Sequence, residues 1–170
     1  MNNNEKKVTS FLSITLLLLK ELRLERNVHQ AQVAEGCGKT PSSWTKIETG
    51  KAQFSMENFF KVCRVLSVTP SSVLTTAERY AALLSQNGWA VLTQQLEFGD
   101  DLLLNDAQDY YLTSGYRNRV LPQSWSQNIS VLNGPVYNLD GTINLIDVFR
   151  FSLDEQFKKE QIEYKPLQFL

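Results

Sequence analysis

Side chains that can donate hydrogen bonds are concentrated in residues 42–46 of this chain of 170 residues. They are Ser42, Ser43, Thr45 and Lys46. Trp44 and Ile47 stand three apart, so a helix here would bury these two and leave the polar side chains on its other face. Hydroxyl and ammonium groups on an exposed helix face can donate hydrogen bonds to nucleic-acid phosphates and base edges. The segment therefore indicates a helix suited to binding nucleic acid.

This helix has clear start and end signals. Thr40 is a good N-cap residue, because its side-chain oxygen can accept a hydrogen bond from a backbone N–H of the first turn. Pro41 suits the first helical position, where a missing amide hydrogen costs nothing. Since Gly50 ends the unit, we predict a helix from about Pro41 to Thr49.

A second short helix is predicted just before it. Val33, Ala34 and Cys37 lie at the spacing of one inward helix face. Gly38 can take the left-handed conformation that closes a helix without a side-chain clash. Two short helices joined by a tight turn are the arrangement by which many proteins place a helix in the major groove of DNA.

The stretch from Gln30 to Gly50 resembles the helix-turn-helix of the lambda-repressor/Cro-like (XRE) family. That family's pattern of Gln, two variable residues, an apolar residue and Ala matches residues 30–34. Its later positions match Gly38, Thr40, Trp44 with Ile47, Glu48 and Gly50. The resemblance covers roughly residues 17–74 and implies a five-helix DNA-binding domain, which we place at residues 10–75.

The resemblance also implies how individual residues would meet DNA. Gln30 matches a position that contacts a backbone phosphate, a contact that fixes register without reading sequence. The base-facing positions match Pro41, Ser42 and Lys46, with Thr40, Ser43 and Thr45 beside them. Lys46 is the strongest expected base reader, because a lysine can donate to O6 and N7 of guanine. In the loop after the motif, Lys51, Gln53 and Ser55 are candidates for phosphate contact.

Pro41 departs from family members that carry a long polar side chain at this position. A proline side chain cannot donate a hydrogen bond, so recognition at this step is expected to be apolar or absent. Short serines follow it. We therefore expect the shape of the DNA to supply much of the selectivity.

Two pairs of residues bear on packing within residues 10–75. Arg23 and Glu48 match positions where the family often holds an ion pair between the first helix and the recognition helix. Such a pair is expected to fix the recognition helix more than to stabilise the fold, because desolvation offsets much of the attraction. Phe59 and Phe60 are predicted to lie in the core.

The net charge of −1 hides an uneven distribution along the chain. Residues 10–75 carry eight basic and five acidic side chains, whereas residues 76–170 carry seven basic and twelve acidic ones. The positive part is the one expected to meet phosphate. A hydrophobic content of 42% and a charged content of 21% are typical of a globular protein.

The apolar run from Phe11 to Leu19 is predicted to be the first helix of the domain. It is interrupted by Ser13 and Thr15 and is much shorter than the ~20 residues that a membrane span needs. Cys37 and Cys63 are predicted to be free thiols in apolar surroundings. Free cysteines fit a reducing, cytoplasmic location, and no metal or cofactor is expected.

Residues 76–170 are predicted to form a helical or mixed module with a hairpin. A helix is predicted from Glu78 to Gln86, while residues 89–98 fit either a strand or a helix. The Asp140-Gly141 pair signals a hairpin turn. Further on, Leu145, Phe149, Leu153 and Phe157 recur every four residues. This spacing predicts one amphipathic helix near the C-terminus.

This module shows no catalytic constellation. It has no nucleophile beside a base and no phosphate-binding loop, so we do not expect an enzyme. Four aspartates lie close together: Asp100, Asp101, Asp106 and Asp109. They are interpreted as a solvated acidic face and not as a metal site, because no histidine accompanies them and their spacing matches no calcium loop. Residues 120–134 are predicted to be an irregular connection.

The expected function is that of a sequence-specific transcriptional regulator bound to double-stranded DNA, in the form of a homodimeric repressor of a palindromic operator. Residues 76–170 are assigned first to dimerisation, because repressors of this type bind two-fold symmetric sites. Binding of a small effector or a protein partner is the second assignment for them. The alternative function is an antitoxin that masks a toxin with its C-terminal half and represses its own operon.

Overall fold

The computed structural model describes residues 6–119 and 129–166. Its N-terminal elements are β1 (Val8–Ser10), α1 (Phe11–Glu25), α2 (Gln30–Gly36), α3 (Pro41–Glu48), α4 (Met56–Val65) and α5 (Pro70–Gln86). These are followed by β2 (Ala90–Leu92), α6 (Leu102–Leu112), α7 (Ser114–Arg117), a 3₁₀ turn (Val131–Asn133), β3 (Val136–Tyr137), β4 (Ile143–Asn144), α8 (Asp147–Leu153) and α9 (Glu155–Glu163). The fold is mainly helical, as predicted. In the part of the chain that the structure describes, no helix is both long enough and apolar enough to cross a lipid bilayer.

The helix-turn-helix begins and ends where the sequence predicts. Thr40 Oγ1 accepts a hydrogen bond from the backbone N–H of Ser43 at 3.1 Å, and Pro41 is the first residue of α3. Gly38 follows α2 with a φ of +65° and Gly50 follows α3 with a φ of +79°. Glycine takes such left-handed conformations without a side-chain clash, so each helix can end abruptly and leave room for a tight turn.

α1 is enclosed on all sides, which explains its run of leucines. Residues 16–19 are four consecutive leucines, each at most 3% exposed. A helix is apolar around its whole circumference when neighbours cover every face. α1 packs against α3, α5, α6 and the 3₁₀ turn, so elements from both halves of the chain complete the core around it.

Long-range contacts join the two halves of the chain. β1 and β2 form a parallel pair in which Val8 lies opposite Ala90. The ring of Tyr80 in α5 stacks on Phe149 in α8, with the ring centroids 4.2 Å apart. One hydrophobic cluster includes buried residues from α1 through to α9. Since α5 also runs unbroken past residue 75, a domain boundary between residues 75 and 76 stays a prediction.

The single C-terminal helix predicted from the four-residue spacing was wrong. Asp154 adopts an extended conformation, with φ −126° and ψ 99°, and separates α8 from α9. Its carboxylate accepts a hydrogen bond from the backbone N–H of Phe157 at 2.9 Å, so Asp154 is the N-cap of α9. Phe149 and Phe157 nevertheless both reach the core.

Asp101 is also placed differently from the prediction. It is only 2% exposed, whereas Asp100 and Asp109 are exposed as expected. The Asp101 carboxylate caps α6 by accepting the backbone N–H of Leu104 at 3.0 Å, and it accepts hydrogen bonds from the hydroxyls of Thr9 and Ser13. These bonds satisfy a buried charge, so the residue fastens α6 to the start of the chain.

Three further predictions are refined by the structure. The helix expected from Glu78 is the second half of α5, and residues 89–98 contain only the short strand β2. β3 and β4 form the predicted hairpin around Asp140 and Gly141. Residues 120–128, most of the predicted irregular connection, lie outside the described residues.

The structure separates the two adjacent phenylalanines that were both predicted to lie in the core. Phe59 is buried, but Phe60 is 52% exposed, so its assignment to the core was wrong. α4 turns these adjacent residues to different faces, as a helix must.

Cys37 and Cys63 are free and buried, and burial raises the pKa of the Cys63 thiol to about 11. Both thiols thus belong to the core, as predicted.

Candidate DNA-binding surface

The outer face of α3 is polar and exposed, while its inner face is packed into the protein. Trp44 and Ile47 are buried. The residues predicted to meet DNA from this helix and its cap are all exposed: Thr40, Pro41, Ser42, Ser43, Thr45 and Lys46. The fold therefore brings these side chains together on one surface next to α2.

Two of the four hydroxyl groups of this face already donate hydrogen bonds within the helix and its cap. Thr40 Oγ1 donates to Ser43 Oγ at 2.9 Å, and Thr45 Oγ1 donates to the carbonyl oxygen of Pro41 at 2.9 Å. Within the described residues, Ser42 and Lys46 make no side-chain hydrogen bond or ion pair and so remain available to a ligand. Lys46 supplies the charge of this surface.

A buried ion pair fixes the end of α3. Arg23 Nε donates to Glu48 Oε1 at 2.7 Å, and Arg23 Nη2 donates to Glu48 Oε2 at 3.3 Å. The remaining guanidinium nitrogen, Nη1, donates to the carbonyl oxygen of Val28 at 3.1 Å. This two-pronged geometry holds α3 in one orientation relative to α1, because the planar guanidinium can meet the carboxylate in only a few ways.

Gln30 belongs to the same network. Its side-chain amide donates to Glu48 Oε2, and its side-chain oxygen lies 3.4 Å from Thr45 Oγ1. The first residue of α2 is thereby tied to α3. A phosphate that accepts from this amide would have to share it with Glu48 or replace the carboxylate, so the phosphate contact predicted for Gln30 stays a prediction.

α6, in the C-terminal part of the chain, is attached to α1 and so supports α3 indirectly. Tyr111 in α6 donates to Glu21 Oε1 at 2.5 Å, and the ammonium of Lys20 lies 3.6 Å from the centroid of the Tyr111 ring. Burial raises the pKa of Glu21 and lowers that of Lys20. These contacts fasten α6 to the same helix, α1, whose Arg23 holds Glu48.

The loop after α3 has partners that sequence reasoning missed. Gln95, in the loop between β2 and α6, accepts a hydrogen bond from the backbone N–H of Phe54 at 3.3 Å and donates to the carbonyl oxygen of Ala52 at 3.2 Å. The ammonium of Lys51 lies 5.0 Å from the centroid of the Phe98 ring. No local sequence signal marks these contacts, because more than 40 residues separate the partners.

Residues 19–73 match the helix-turn-helix family. The matched segment contains α2, α3 and α4, and it is a helix-turn-helix domain of the lambda-repressor/Cro-like (XRE) type. The protein is therefore a DNA-binding transcriptional regulator. No curated protein and no solved structure matches the chain.

Proposed function

We propose that the protein is a homodimeric repressor that binds a palindromic operator in the cytoplasm. One observation supports this most directly: Lys46 and Ser42 are exposed on α3 without partners in the described residues, while Glu48 and Gln30 hold the helix in place. A rigid helix with a few free donors is suited to the major groove. Repression then follows because the bound dimer covers DNA that polymerase needs.

The small number of free donors on α3 favours shape readout as a second source of selectivity. Thr40 and Thr45 already donate their hydroxyl hydrogens within the helix and its cap, and Pro41 has no side-chain donor. Bending or groove narrowing adds a sequence-dependent free energy at positions that the protein does not touch. We therefore expect the operator to be defined partly by base pairs outside direct reach of Lys46.

Lys46→Ala should weaken operator binding by about 1–3 kcal/mol per half-site and relax the sequence preference at one base pair of each half-site, because a lost bidentate contact to guanine removes discrimination there. The operator is first located by footprinting on DNA upstream of the gene, and affinity is then measured by titration. Lys159→Ala is the matched control, since it removes the same charge from an exposed position of α9. Equal losses for both variants would contradict a base-reading role.

An exposed stripe on α4 supports the homodimer. Met56 and Phe60 are 58% and 52% exposed, one helical turn apart, and Arg64 continues the stripe. Beside Met56 opens an apolar groove of about 300 Å³ between α1, α4 and α5. An apolar patch of this kind, rimmed by charges, marks an interaction surface.

The charges on α4 indicate a second copy of the chain as the occupant of this surface. In a two-fold dimer each patch meets itself. If two α4 helices cross antiparallel about a point between residues 60 and 61, Glu57 of each copy faces Arg64 of the other. The arrangement pairs opposite charges and buries Phe60 at the centre, whereas a parallel arrangement would place Arg64 against Arg64.

Phe60→Ser should convert the dimer to a monomer, measured as solution mass over a concentration series. Leu112→Ser is the matched control, because Leu112 is 63% exposed on another helix. Glu57→Arg and Arg64→Glu should each weaken the dimer, and the double variant should restore it. A wild-type monomer, or a dimer indifferent to Phe60, would contradict the proposed interface.

The antitoxin is retained as a second candidate function because the β3–β4 hairpin exposes apolar side chains. Tyr137 is 58% exposed and Leu139 projects fully into solvent. Such a tip fits a protein partner better than DNA, since the neighbouring charged residue is Asp140. Co-purification with the product of an adjoining gene, lost in Leu139→Ser, would favour this candidate over a simple repressor.

A further inference from the structure

The loop that leaves α3 is held by a side chain from beyond the helix-turn-helix. The amide group of Gln95 bonds to both sides of residue 53, accepting from Phe54 N–H and donating to Ala52 C=O. It thus serves the backbone of this loop as a neighbouring strand would. An amide can do this because it carries a donor and an acceptor on one rigid plane.

The start of the same loop is held by the end of α3 and by α6. The backbone N–H groups of Lys51 and Ala52 donate to the carbonyl oxygen of Lys46 at 2.7 and 3.0 Å and close α3. Leu104 of α6 covers Gly50 so closely that an added Cβ there would lie 2.5 Å from Leu104 Cδ1. Lys51 is therefore an exposed residue of a turn whose two ends are both fastened.

The Lys51 side chain lies in a defined setting. Its ammonium is 5.0 Å from the centroid of Phe98, which is 55% exposed, so the ring guides the cation while leaving it open to solvent. Lys51, Phe98 and Glu97 all line one open groove on the surface. The direction of the Lys51 ammonium therefore determines the electrostatics of the groove. An approaching anion is attracted if it reaches the ammonium first and repelled if it reaches the Glu97 carboxylate first.

We propose that Gln95 is a positioning residue for DNA binding: it holds the loop after α3 so that the Lys51 ammonium meets a phosphodiester of the operator backbone. Gln95 itself does not touch DNA and acts through Lys51. The inference rests on the proposed function of the α3 surface, and it assigns part of the DNA affinity to the segment between β2 and α6.

The test compares Gln95→Ala with Gln94→Ala on the operator defined by footprinting. Gln94 is the matched control, because it is exposed and makes no hydrogen bond in the described residues. Affinity is measured over a range of salt concentrations, since each phosphate contact contributes about 0.9 to the slope of log K against log salt. Because the proposed dimer carries two copies of Lys51, we expect Gln95→Ala and Lys51→Ala each to reduce the slope by about 1.8, and Gln94→Ala to leave it unchanged.

Two further variants separate positioning from a general loss of structure. Gln95→Met keeps the side-chain length without donor or acceptor, and it should behave as Gln95→Ala does if the hydrogen bonds matter. The double variant Gln95→Ala with Lys51→Ala should bind as Lys51→Ala alone. Melting temperatures identify a variant that fails to fold, and a reduced slope in a variant that melts as wild type supports the proposal.

The outcomes distinguish the positioning role of Gln95 from the proposed binding of an operator. A wild-type slope in both Gln95 variants, or losses that add in the double variant, overturns the positioning role while operator binding stands. Failure of the wild-type protein to bind any DNA overturns the proposed function and this inference with it.

Discussion

Glu48→Ala is expected to lower the free energy of unfolding by about 3–5 kcal/mol, because it strands a buried guanidinium. Both partners of the ion pair are less than a tenth exposed, and Arg23 Nε lies 2.7 Å from Glu48 Oε1. Without the carboxylate, Arg23 keeps the cost of desolvation and loses the charge that offsets it. Urea unfolding followed by circular dichroism measures the change.

A double variant and a surface pair provide the controls. Arg23→Met combined with Glu48→Leu should recover most of the lost stability, since apolar side chains of similar size often replace a buried pair without loss. Arg150→Ala breaks the partly exposed pair with Asp154, at 3.1 Å, and should change stability much less because water screens it. If Arg150→Ala costs as much as Glu48→Ala, burial is not the cause.

The double variant also allows the effect of this network on stability to be separated from its effect on DNA binding. The recovered double variant lacks Glu48 and therefore also lacks the partner of Gln30. We infer that it folds but binds DNA less well than wild type, because α2 and α3 are no longer held in register.

Sequence patterns predicted the helix-turn-helix well because its determinants are local. Thr40, Pro41 and the glycines at 38 and 50 act on backbone within a few residues of themselves. Periodic apolar residues then assign the inner face of each helix. Nothing about these signals requires knowledge of the rest of the chain, and the structure follows them closely.

Features that depend on distant contacts could not be predicted in the same way. Asp101 is buried because Thr9 and Ser13, about 90 positions earlier, supply hydroxyl donors. The pairing of β1 with β2 and the contact of Gln95 with residues 52–54 likewise join remote segments. By contrast, Asp154 carried a local N-cap signal that the four-residue spacing of phenylalanines and leucines obscured.

The contact between α5 and α8 decides whether the chain unfolds as one unit or two. Tyr80 is fully buried, stacks on Phe149 and accepts a hydrogen bond from the backbone N–H of Ile146 at 3.1 Å. The helix that carries Tyr80 begins inside the matched helix-turn-helix segment. If the chain has a single core, a substitution of Phe149 should also destabilise α2 and α3.

Phe149→Ala should therefore lower the free energy of unfolding by about 3–5 kcal/mol and reduce protection of the α2 and α3 backbone amides to the same extent as those of α8. Hydrogen exchange read out by mass spectrometry measures both regions in one experiment. Phe98→Ala is the matched control, because an aromatic ring that is 55% exposed contributes little to the core. Faster exchange confined to residues 76–170, with wild-type protection in α2 and α3, would show instead that the two parts of the chain unfold separately, with the boundary near residue 75.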